Sequence, residues 1–212
     1  MVGLKGQTPA VWLVLIMLFM VFAFVAVFAW QQQLLAVRVP VEYKGEWDKI
    51  YAPDYVGGTD LTITETDITD GATLKAANMS YDINGTDGTT YYMAFGVKIK
   101  GSNGFEKMDI DGELASGIAT TELQIRKFYI VPDEKGINLD VSDAIYVGTV
   151  SSDQDEFELT VGPVPEGDYV FVVEAKGIST STIGSGDQLL TIEFDATTEE
   201  DVDSFTLNIY NA

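Results

Sequence analysis

The sequence predicts an α+β chain: a long N-terminal hydrophobic α-helix followed by an antiparallel β-sandwich. Three observations carry that reading. Ala10 to Trp30 is an uninterrupted run of 21 residues without a charge, a glycine or a proline. From Val41 onward the spacing of apolar residues changes from a helical period to a period of two. The runs that follow are short and separated by Gly, Asp, Asn and Pro, with no later helical stretch.

The first element is the apolar run itself. At ~1.5 Å per helical residue it would span roughly 31 Å, about the hydrocarbon core of a bilayer. Thr8-Pro9 is a good helix entry, and Trp12 and Trp30 stand near the two ends, where amphipathic rings settle at membrane interfaces. Pro40 closes the pattern, because the residue before a proline avoids helical backbone angles. The organisation expected is a short segment over residues 1–6, a membrane-length helix over 7–40, a linker over 41–58 and a β-sandwich over 59–212.

Strands are expected at Leu61-Ile63, Leu74-Tyr81, Tyr91-Ile99, Leu123-Val131, Ala144-Val150, Phe157-Val161, Tyr169-Ala175, Leu189-Phe194 and Phe205-Tyr210. Asn84-Gly85 and Asp87-Gly88 are hairpin-turn dipeptides between the second and third of these. This pattern argues a sandwich of immunoglobulin-like type. Tyr169, placed just after a Pro-Val-Pro-Glu turn, sits where such folds tie a tyrosine hydroxyl back to a corner before the penultimate strand.

Charge and composition restrict function. The net charge is −21 over 212 residues. Residues 1–44 carry Lys5, Arg38 and Lys44 against Glu42, a net +2, so the remainder carries −23. Such a surface repels nucleic acid, and no nucleic-acid partner is expected. The chain has neither cysteine nor histidine, which removes disulfides, thiolate metal sites and the commonest general base. A serine nucleophile would lack its usual base, and Gly184-Ser185-Gly186 has no lysine after it to make a phosphate loop. The chain reads as no enzyme, with no cofactor.

Carboxylates remain the plausible ligands. Asp109-Ile110-Asp111-Gly112-Glu113 has oxygen donors at alternate positions and a glycine, like a fragment of a calcium loop, but lacks the closing donors. It reads as a solvated acidic turn, as do Asp153-Gln154-Asp155-Glu156 and Glu199-Glu200-Asp201-Val202-Asp203. No dedicated metal site is expected, though divalent cations could bridge acidic loops of neighbouring subunits. Asn78-Met79-Ser80 and Asn84-Gly85-Thr86 are glycosylation sequons, at Asn78 and Asn84.

Lys5-Gly6-Gln7, a basic residue and a glycine directly ahead of a long apolar run, resembles the class III signal peptide of type IV pilins, most closely archaeal ones. The resemblance covers roughly the first 35 residues. It implies cleavage between Gly6 and Gln7 by a prepilin-type peptidase and a precursor held in the membrane. It also implies a homo-oligomeric helical filament of identical subunits, with an adhesive pilus favoured over a swimming filament. Phe19, Phe22, Phe24 and Phe28 would then pack in the filament core. Bacterial members carry a glutamate five residues into the mature chain, where this sequence has Val11. A secretory signal cut after Val27-Phe28-Ala29 and a plain signal anchor stand as alternatives for the same segment. The rival for the whole chain is a membrane-anchored immunoglobulin-like surface binding module, or an archaellum stator-type protein.

Overall fold

A computed structural model describes residues 16–22, 42–51, 66–67, 76–83, 87–133, 140–199 and 201–212. It separates into two compact units, Met1–Val41 and Glu42–Ala212. In the first unit, residues 16–22 are helical and their side chains are exposed.

The described residues of the second unit form eleven strands: β1 (Glu46–Tyr51), β2 (Thr66–Asp67), β3 (Ala76–Tyr81), β4 (Thr90–Lys100), β5 (Lys107–Leu114), β6 (Leu123–Pro132), β7 (Tyr146–Thr149), β8 (Glu156–Val161), β9 (Gly167–Gly177), β10 (Gln188–Thr197) and β11 (Val202–Asn211). They form a six-stranded sheet in the order β2-β1-β4-β9-β6-β7 and a five-stranded sheet in the order β3-β11-β10-β5-β8. Every pairing is antiparallel except β3 with β11.

The α+β fold class is corrected by this architecture to two packed β-sheets. A long N-terminal helix is not what the described residues contain: their helix spans 16–22, and none of their helices is long and apolar enough to cross a membrane. Hydropathy sets a preference for an apolar medium, not a backbone conformation.

Strand alternation explains the core. Successive side chains of a strand point to opposite faces, so each apolar/polar alternation buries one set. Tyr91, Met93, Phe95, Val97 and Ile99 of β4 face Ile192, Phe194 and Ala196 of β10 and Phe205, Leu207 and Ile209 of β11 within one buried cluster. Trp47 of β1 joins an aromatic cluster, with ring centroids 4.6 Å from Phe105 and 4.8 Å from Phe205. Its stretch was expected to be linker. It is a strand instead, and its alternation is hidden in the sequence by an irregularity in register between Trp47 and Lys49.

The β9 corner forms as expected. The Tyr169 hydroxyl donates to the Pro165 carbonyl at 2.9 Å. The strand it opens is third from the end rather than penultimate, since β10 and β11 both follow. Tyr169→Phe should cost about 1 kcal/mol, a fall of roughly 2–4 °C in melting temperature, with the spectrum of the folded domain unchanged. An unchanged melting temperature would mean that the corner bond adds nothing.

Candidate functional site: an acidic sheet face

The outward side of the five-stranded sheet is built by the same alternation that fills the core. In β5, Met108, Ile110 and Leu114 point inward, while Lys107, Asp109, Asp111 and Glu113 point out. Gly112 belongs to the inward set. It lacks a side chain because Phe157, its partner on β8, lays its ring there; a Cβ at Gly112 would stand 2.1 Å from that ring.

Register then aligns the carboxylates across three strands. Asp111 lies opposite Glu158 on one side and Glu193 on the other. Glu113 lies opposite Glu156 and Thr191, and Asp109 opposite Thr160 and Asp195. Among the described residues, seven carboxylates thus share this face with a single cation, Lys107. A shallow depression of about 630 Å³ runs along it, lined by Asp111, Glu113, Glu156, Glu158 and Glu193 among others.

The rows are not equivalent. Asp109 is compensated: the Lys107 ammonium stands 2.6 Å away and the Thr160 hydroxyl donates at 2.7 Å, and both hold its carboxyl below the ordinary value. Asp111 is pushed up, first by lost solvation between its flanking strands and then by the charges of Glu158, Asp195, Asp109 and Glu193. A group whose folded pKa is raised contributes stability below its unfolded pKa and loses it as pH rises through the folded value. Asp111 therefore works against the fold at neutral pH, and like charges directly opposite on a sheet are destabilising. Asp111→Asn should raise the melting temperature at pH 7 and low salt by about 1–4 °C. The gain should shrink in 1 M salt, where the screening length falls to about 3 Å. A gain indifferent to salt would locate the effect in the lost solvation of the carboxylate rather than in repulsion by its neighbours.

Beside the acidic rows the face becomes neutral and polar. Asn208 accepts from Gln188 and Thr191 through its Oδ1 and donates to the Asn78 Oδ1 at 3.2 Å.

Of the residues singled out from sequence, Lys5, Gly6, Gln7, Phe24, Phe28 and Asn84 lie outside the described residues. So does the strand expected at Leu61-Ile63. Phe19 and Phe22 are 76% and 67% exposed in the helical segment 16–22. Asn78 is exposed on β3, at the edge of the five-stranded sheet.

The stretch 109–113 is a strand, not a turn. Extended backbone sets Asp109, Asp111 and Glu113 about 7 Å apart in a line, whereas calcium ligands converge on one point at ~2.3–2.6 Å. Among the described residues no group of three or more acidic side chains is placed to hold a metal ion. The signal for this strand was present in the strict alternation from Lys107 to Leu114, obscured by charge on every outward position from 107 to 113.

No protein-family model matches the sequence, and no curated protein matches it either. Among solved structures, the collagen-binding subdomain of the Enterococcus faecalis surface protein ACE is similar at a TM-score of 0.35 and 12% identity, over 61% of this chain and 92% of that one. A likeness that partial identifies no ligand for the present chain.

Proposed function

We propose that the chain is a non-enzymatic binding module displayed at the cell surface, a β-sandwich that presents its acidic sheet face to a cationic partner. The observation that carries this reading is the row Glu158–Asp111–Glu193. These charges oppose one another across neighbouring strands, and a basic partner relieves that repulsion on contact. The absence of cysteine and histidine from the chain supports contact rather than catalysis.

Carbodiimide treatment of intact cells tests both halves of the reading, since it joins a carboxylate to a lysine held against it. Adducts at Asp111, Glu158 or Glu193 are expected, and they should disappear in the triple variant Asp111→Asn, Glu158→Gln, Glu193→Gln. A face that yields no adduct, or a domain that resists protease added outside the cell, refutes the proposal.

A second reading, the subunit of a pilus-like filament, is favoured by residues 16–22. They are wholly apolar (IMLFMVF) and 53–76% exposed, a surface that demands cover. Electron microscopy of sheared surface material, labelled for this chain, separates the two: labelled filaments support assembly, and their absence leaves the module.

A further inference from the structure

Among the described residues the two sheets have four terminal strands, and three carry a feature that discourages pairing with a foreign strand or would do so if glycosylated. β2 is two residues long. β8 projects Glu156 and Glu158. β3 carries a sequon asparagine, Asn78, on its exposed side. Short, charged or sterically covered edges are how sheets avoid edge-to-edge association.

The fourth, β7, has none of these. Its residues Tyr146, Val147, Gly148 and Thr149 are uncharged, and it ends the six-stranded sheet beyond β6. Its inner side is sealed, because Leu159 of β8 packs where a Gly148 Cβ would be. Its outer side is open: Ile145 and Val147 are 52% and 51% exposed. They continue an apolar stripe of Ala94, Tyr129, Val131, Val170 and Val172 on the outer face of the sheet, which Val141 and Ala144 pack against. The stripe is covered at its centre and bare at its rim.

The surrounding charge selects the occupant. Exposed Asp140 and Asp143 precede β7 and exposed Asp153 follows it, with no lysine or arginine between 140 and 155; the cation across the strand, Lys127 opposite Thr149, already meets Glu174 and the Tyr129 ring. Two copies paired through β7 would bring these acids together, on chains that each carry −21. We propose that β7 is a strand-addition site for an extended segment of another protein, apolar at alternate positions and basic at both ends. Main-chain hydrogen bonds along β7 hold the segment, its apolar residues cover Ile145 and Val147, and its lysines or arginines meet the flanking aspartates. This surface lies on the other sheet from the acidic face, and the inference stands independently of the function proposed above.

The test uses the full chain and a capped probe peptide, Lys-Lys-Val-Thr-Val-Thr-Val-Lys-Lys. Hydrogen exchange should show new protection confined to residues 145–150. Val147→Lys, a change on an exposed side chain that leaves the circular dichroism unaltered, should weaken binding at least tenfold. Replacing the peptide's lysines by glutamate should abolish it. Protection elsewhere, or none, overturns the proposal. So does equal binding of the glutamate peptide. Concentration-dependent self-association of the chain that Val147→Lys removes would also overturn it, by making a second copy the occupant. The carbodiimide experiment reads the other face, so either result can fail alone.

Discussion

Trp47→Ala is expected to cost about 4–6 kcal/mol, enough to unfold much of the β domain at 37 °C. Truncating a fully buried Trp costs about 3–5 kcal/mol through lost transfer energy and the cavity left behind. This indole is fully buried and meets Phe105, Phe205, Phe194 and Phe171, with centroids 4.6, 4.8, 6.3 and 6.4 Å away. Its Nε1 also donates to the Asp203 carbonyl at 3.0 Å, a bond that joins β1 to β11 across the two sheets. Losing that bond adds about 1 kcal/mol. Domains of this kind have about 5–15 kcal/mol in total, so the loss takes a large share. Urea unfolding followed by far-ultraviolet circular dichroism measures it. Trp47→Phe, which keeps most of the apolar area and loses the hydrogen bond, should cost about half as much. A loss under 2 kcal/mol for the alanine variant would show that the core closes over the missing indole.

Gly101→Ala is the second large effect, expected at about 3 kcal/mol. Gly101 sits at φ +97° in the turn between β4 and β5, a backbone conformation that side chains rarely adopt. A Cβ there would stand 1.8 Å from the Lys44 carbonyl oxygen. The Lys44 backbone cannot yield freely, because its N–H donates to the Ser102 carbonyl at 3.0 Å. Strained dihedrals cost about 1–3 kcal/mol, and the backbone clash adds to that. Gly117 separates the two contributions, having φ +105° with nothing within 4 Å of its Cβ position. Gly117→Ala should therefore cost only the dihedral part. Equal melting temperatures for the two variants would rule out the clash.

Pairing partners and charged strands account for most of what the chain did not disclose in advance. The stretch Glu46–Tyr51 reads as linker because Trp47 and Ile50 are three residues apart, which fits no strand period. The register irregularity that lets both point inward is formed only against β4. β5 alternates strictly, yet its outward acids resemble a loop when the strands beside them are unknown. Those acids become rows only when β8 and β10 set Glu158 and Glu193 opposite Asp111. The parallel pairing of β3 with β11 joins Ala76 to Thr206, a separation that no local pattern specifies.

By itself the sequence determined what depends on neighbours along the chain. The positions of β3, β4 and β6 to β11 follow from period-two alternation, because a half-buried strand must bury every second residue. The acid excess, the lack of histidine and cysteine and the turn at Pro165 that Tyr169 anchors were likewise legible. Only the tertiary structure decided the fold class, the division of strands between two sheets, the acidic face and the open edge at β7. Each of these depends on which strand lies beside which, and that is settled by burying all the inward faces at once, a property of the whole chain rather than of any segment.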